Sequence, residues 1–185
     1  MPSFLGHPRA KTIQLPTPVY ATWNPAGTNP NITLSNGNLT AEVTGPTAST
    51  AYGASASPGG NFDDGKRYVE ILVGNIAGSA SSMAVGFADT DQAVTGDLGD
   101  MTYAYAWRFD GYKESAGSAV ALGNAAVNGD ILRLAIHAYI DNNIAKANIW
   151  YGLNGLWFGS GDPATGANPS FAAVVAPLAT DWSIR

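Results

Sequence analysis

The sequence predicts an all-β protein, an antiparallel two-sheet sandwich carrying an extended N-terminal arm, and three observations lead there. Helical periodicity is missing along the chain. Short segments of alternating apolar and polar residues recur instead, each bounded by Gly, Pro, Asn or Asp, the pattern of half-buried strands joined by turns. Ahead of them, Pro2, Pro8, Pro16 and Pro18 fix φ and remove backbone donors, so residues 1–18 cannot form a regular helix or strand over most of their length. The expected division is therefore an arm over 1–18 and a sandwich over 19–185.

The strand candidates are residues 19–23, 31–34, 39–44, 67–73, 82–88, 102–109, 131–140, 144–151 and 171–175. The clearest is 131–140, where Leu132, Leu134, Ile136, Ala138 and Ile140 share one face and Arg133, Ala135, His137 and Tyr139 the other. Asp141-Asn142-Asn143 is a turn, because short Asx side chains tolerate positive φ. Ala145, Ala147, Ile149 and Tyr151 then alternate against Lys146, Asn148 and Trp150, which completes a hairpin. Asn154-Gly155 matches a two-residue type I′ turn, and Leu156-Trp157 is expected to lie back across Ile149-Trp150 with the two tryptophans bracing the sheet. In 67–73, Val69, Ile71 and Val73 point inward.

Tyr103, Tyr105, Trp107 and Phe109 alternate on one strand face. Such an aromatic row either fills the sandwich or lines a platform for stacking sugars or a partner. Asp110, Tyr112 and Lys113 in the adjoining loop would add polar contacts at the end of the sandwich, where loops carry recognition. Trp107, Asp110, Tyr112 and Lys113 are accordingly the candidate binding residues.

Charged residues make up 12% of the 185-residue chain, about half the usual share, so the surface is built largely from small and neutral polar residues. That suits neutral partners such as further copies, a protein shell or a glycan. A net charge of -5 with only nine Lys+Arg argues against nucleic acid, whose affinity comes from clustered cations. Residues 1–9 lack the apolar run of a signal peptide, and no segment approaches a membrane span, so neither export by its own N-terminus nor membrane insertion is expected.

The search for chemistry is mostly negative. With no Cys and two His, no zinc site is expected, and no other metal or cofactor is called for. Asp89, Asp91, Asp97 and Asp100 could gather calcium on a loop, but they read rather as a solvated acidic turn. Glycoside hydrolysis needs two carboxylates across the sugar bond. Glu42, Glu70 and Glu114 stand in separate segments, none with an acidic neighbour two residues away on the same face, which disfavours an enzyme. Gly96-Asp97-Leu98-Gly99 has no Lys-Ser/Thr sequel, so it is not a phosphate loop.

Several segments taken in order carry a resemblance. Trp23-Asn24-Pro25, Leu34 to Thr40, Gly65 to Glu70 and Met83 to Ala88 resemble the opening half of SPRY domains. Gly129-Asp130-Ile131, the Asp141-Asn142-Asn143 turn and Ile149 to Trp157 resemble its closing hairpins. Ser160 to Phe171 is similar to SPRY-like proteins encoded by tailed bacteriophages and prophages. The resemblance implies a concanavalin A-like jelly-roll sandwich used as a non-enzymatic recognition or assembly module.

Three functions follow as expectations. The first is a virion accessory protein, a capsid decoration or tail-associated component. Its arm residues Phe4, Leu5, His7, Arg9 and Lys11 would dock onto other virion proteins or neighbouring copies and make it oligomeric in the assembly. The second is a lectin-like module for host-surface glycan. A glycoside hydrolase stands behind both.

Overall fold

The computed structural model describes residues 22–44, 55–56, 65–89, 97–175 and 182–184. The arm over 1–18, with Phe4, Leu5, His7, Arg9 and Lys11, lies outside the described residues, as does Asp91.

Two antiparallel sheets face each other, as the alternation predicts. The larger contains β1 (Trp23–Asn24), β4 (Ser55–Ala56), β6 (Ala84–Asp89), β7 (Ala104–Arg108), β8 (Tyr112–Ser115), β9 (Ser118–Ala121) and β14 (Trp182–Ile184), in the order β1-β4-β14-β6-β7-β8-β9. Opposite it, β5 (Gly65–Leu72), β10 (Ile131–Asp141), β11 (Ile144–Leu153) and β12 (Leu156–Trp157) run in the order β12-β11-β10-β5, and β13 (Phe171–Val175) also pairs with β11. A separate ribbon joins β2 (Ile32–Ser35) to β3 (Thr40–Val43).

The core forms where the two inner faces meet. Val85, Phe87, Tyr105, Trp107 and Phe109 project from one sheet onto Leu132, Leu134, Ile136, Ala138, Ala147, Ile149 and Tyr151 of the other. The alternation of the long β10–β11 hairpin is therefore realised, except that Ile140, near the hairpin end, stands 49% exposed. Tyr151 is wholly buried and satisfies its hydroxyl by donating to the Tyr105 carbonyl across the sheets, and burial raises its pKa above the ordinary tyrosine value. An unpaired hydroxyl there would cost about 1–3 kcal/mol.

Turn chemistry sets the hairpin registers. Asn142 and Asn143 have φ of 52° and 60° between the paired Asp141 and Ile144, and Asn154 and Gly155 have 49° and 88° before β12. Two consecutive positive φ values are what a type I′ turn requires. Ala116 and Gly117 make a third such turn between β8 and β9, strands for which the sequence offers only the loosely patterned stretch after Phe109. The pairing of β12 corrects one expectation, since Trp157 lies opposite Gly152 and Leu156 opposite Leu153 rather than across Ile149-Trp150.

Strands β6 and β7 are buried on both faces. Gly86 and Ala106 pair across them, and a Cβ built on Gly86 would fall 2.2 Å from the Tyr105 carbonyl oxygen and 2.8 Å from Ala106 Cα. Backbone cannot yield as a flexible side chain can. Gly86→Ala is expected to destabilise the protein by about 1–3 kcal/mol, the usual cost of overpacking, measured as a lower urea midpoint at an unchanged m-value. An unchanged midpoint would show that the two strands separate without penalty.

Candidate functional site

The four residues singled out near the end of the aromatic row do not converge on a common surface. Trp107 is fully buried in the core, so the row fills the sandwich and offers no platform at this position. Its ring packs 6.1 Å from Phe109 and 5.4 Å from Phe158. Asp110 accepts from Arg108 Nε at 3.1 Å, and Arg108 also reaches Glu114 at 3.6 Å. Lys113 turns inward, donating to the Ser170 carbonyl at 2.5 Å and lying 5.0 Å over the Phe171 ring. Only Tyr112 is exposed, beneath the Arg108 guanidinium at 5.5 Å. The charges of this segment are occupied in holding β7, β8 and the stretch before β13 together.

Of the acidic loop residues described, Asp97 and Asp100 share one turn, Asp100 N donating to the Asp97 carbonyl at 3.1 Å. Asp89 is fully buried at the end of β6, whereas Asp97 and Asp100 are exposed and Asp97 caps its own turn by accepting from Gly99 N at 3.2 Å. No group of three or more metal-ligating side chains gathers among the described residues.

A concave site does form on the outer face of the five-stranded sheet. Register dictates its floor and walls. Lys66 pairs with His137, Tyr68 with Ala135 and Glu70 with Arg133 across β5 and β10, while Ala135 also pairs with Trp150 and Gly152 with Trp157. Because side chains alternate along each strand, these residues all share the face away from the core. The small side chain of Ala135 leaves a depression of about 390 Å³, lined by Lys66, Arg67, Tyr68, Arg133, His137 and Trp157 with the segment Asp162 to Ala164. That lies within the range of small-molecule sites.

The far wall is the loop that follows β12. It folds over Trp150, which is 1% exposed and donates its indole N–H to the Ala167 carbonyl at 2.8 Å. Asp162 closes the loop: its N–H donates to Ala167 O, its carbonyl accepts from Gly166 and Ala167, and its carboxylate accepts from Ala164 N at 2.9 Å and Thr165 Oγ1 at 2.8 Å. The Thr165 hydroxyl, first, and the neighbouring backbone N–H groups hold the Asp162 carboxyl below the usual carboxylate range. Lys66 Nζ reaches over the depression to the carbonyls of Pro163 and Ala164 at 3.4 and 3.2 Å.

At one end of the groove Arg133 packs against two rings that touch each other, 5.4 Å from the centre of Tyr68 and 4.9 Å from that of Trp157. Its Nε donates to Tyr68 Oη at 2.8 Å and its Nη1 to the Gly155 carbonyl at 2.7 Å, and Glu70 lies 3.5 Å from Nε. Desolvation and the Glu70 hydrogen bond raise the Tyr68 pKa above the ordinary tyrosine value. A guanidinium packed against two aromatic rings and anchored to backbone is a rigid wall.

Lys66, Tyr68, Trp157 and Asp162 fall within segments that carry the SPRY resemblance, yet nothing in those motifs marks them as binding residues. Their signal is the polar half of each alternating strand, Lys66-Tyr68-Glu70 and Arg133-Ala135-His137, and only pairing across 65 positions of sequence unites Tyr68 with Arg133.

With this geometry in place, comparison with known proteins bears on the fold. The chain is similar to the solved structure of a human SPRY domain, with a TM-score of 0.54 and 14% identity over 83% of this chain and 87% of that one. The fold is thus a SPRY-like β-sandwich. No protein-family model matches the sequence, and no curated protein does.

Proposed function

We propose that the chain is a non-enzymatic recognition and assembly module, in which residues 1–18 dock onto a neighbouring copy or another virion protein and the sandwich presents the outer-face groove to a ligand. The observation that carries this reading is the construction of the groove. Its walls come from four hydrogen-bonded strands and a loop pinned by Trp150, so the binding surface is pre-organised and loses little entropy on binding. Asp162 is the one carboxylate among the described lining residues, and its oxygens are engaged within its own loop, which supports binding over glycoside hydrolysis. The placement in a virion is supported by the phage-like residues 160–171 and by the low charge of the chain. Within that setting, Tyr68 and Trp157 beside the groove favour a lectin-like role at the host surface over a purely architectural one.

Deleting residues 1–14 tests the docking arm. Light scattering of the full chain is expected to show an oligomer, and the truncated chain a monomer with an unchanged β-sheet circular dichroism spectrum. Persistence of the oligomer in the truncated chain would sink the arm as the docking element.

A further inference from the structure

We infer that the outer-face groove is a site for an acidic saccharide, with the sugar carboxylate held between Lys66 and His137 and a ring face laid against Tyr68 and Trp157. This rests on the recognition reading above and names the ligand class of the same groove.

The charge distribution comes first. The protein carries a net charge of -5, yet the side chains of Lys66 and Arg133 share this one depression with His137, while Arg67, paired with Ile136, alternates to the other face. Lys66 and His137 are direct cross-strand partners, an arrangement that gains nothing from pairing cation to carboxylate within the sheet. The carboxylate across from them, Asp162, takes its hydrogen bonds from Thr165 and Ala164, and it meets Lys66 only through space. Lys66 uses carbonyls of the loop for two contacts, and an ammonium has three donors, so it retains a proton to offer an incoming anion. Arg133 at the opposite end is balanced by Glu70 and spent on Tyr68 and Gly155, which leaves the anion-attracting end at Lys66 and His137.

The aromatic end selects the body of the ligand. Tyr68 is 51% exposed, and Tyr68 and Trp157 stand edge to face at 6.0 Å, held in place by Arg133. Such amphipathic rings suit the mixed apolar and hydroxylated faces of a pyranose. A charged peptide would instead draw on a cluster of available arginines, and here the arginine on the groove face, Arg133, is already occupied by Tyr68 and the Gly155 carbonyl.

Isothermal titration calorimetry of the full chain at low salt tests this with four probes: tetragalacturonate, sialyllactose, maltotetraose and a hexaglutamate peptide. At least one of the two acidic saccharides is expected to bind and to weaken as sodium chloride is raised. Lys66→Glu is expected to reduce that binding by about tenfold or more, and His137→Ala to reduce it more modestly, because each removes a charge-assisted contact. Lys66 is exposed, so its variant keeps the fold, checked by circular dichroism, and Lys146→Ala outside the groove is expected to leave binding unchanged. Binding of an acidic saccharide indifferent to Lys66→Glu overturns the assignment. Equal binding of maltotetraose that Trp157→Ala abolishes overturns the acidic class while the recognition reading stands, and preferential binding of hexaglutamate does the same in favour of a peptide. Silence from all four probes overturns the ligand class and the recognition reading together.

Discussion

Replacing Trp107 with alanine is expected to lower the free energy of unfolding by about 3–5 kcal/mol, the cost of deleting a large aromatic from a packed core. The side chain is fully buried between the sheets, against Phe109 and Phe158, and the cavity left behind is walled by strands that cannot collapse independently. Urea denaturation followed by intrinsic fluorescence measures the loss. Trp107→Phe is expected to be much milder. The Trp107 indole nitrogen is buried without a hydrogen-bond partner among the described residues, so phenylalanine removes this donor at the same time as it removes volume. If the two substitutions cost the same, the aromatic ring itself contributes little and the core is held elsewhere.

Trp150→Ala is expected to cost a similar amount, about 3–5 kcal/mol, and also to dismantle the groove wall. Trp150 sits on the outer face of its sheet, where solvent would ordinarily be, and is covered only because the loop after β12 crosses it. Backbone of that loop comes so near that a Cβ on Gly161 would lie 2.9 Å from the indole ring. Removing the ring breaks the bond to Ala167 and withdraws the apolar surface on which the loop rests. Amide hydrogen exchange is the discriminating readout: Gly161, Asp162, Gly166 and Ala167 are expected to lose protection while core amides such as that of Phe109, which donates to the Met83 carbonyl, retain theirs under native conditions. Retained protection in the loop would mean that the Asp162 turn holds its shape alone.

These two tryptophans illustrate how far residue patterns reach. Trp107 belongs to a period-two aromatic row, and pattern alone leaves core and platform as equal geometries, because both require the same face. The opposing sheet decides between them by placing Leu132, Leu134 and Ile136 against that face. Trp150 belongs to the polar half of its strand, and nothing local distinguishes a buried tryptophan there from a surface one. Ala104 and Ala106 behave alike: alternation assigns them to the face away from the core, yet both are fully buried, and small side chains are compatible with either environment. Strands β8, β9 and β14 are short, and their mixed composition lacks a clear alternation, so they become strands through pairing with neighbours rather than through local preference.

The bulge at β13 shows the same division on a finer scale. Ala147 pairs with Val174 and Ile149 with Phe171, so two residues stand opposite Asn148, and its side chain accepts from Ala173 N at 2.8 Å. Ala173 takes a φ of 50°, unusual for alanine, because the Asn148 amide fixes it there.

Local chemistry sufficed for the hairpins. Alternation, Asn-Asn and Asn-Gly dictate strand, turn and register for residues 131–157, since the interactions that enforce them lie within a few residues of one another, and an inward face can be read once the period is two. The groove is of another kind. Lys66, Tyr68, Arg133, His137, Trp157 and Asp162 come from strands and a loop distant in the chain, and their union depends on which strand pairs with which and on a loop crossing one exposed ring. Pairing of remote strands is chosen by burial of the whole core, a sum over both sheets that no single segment contains.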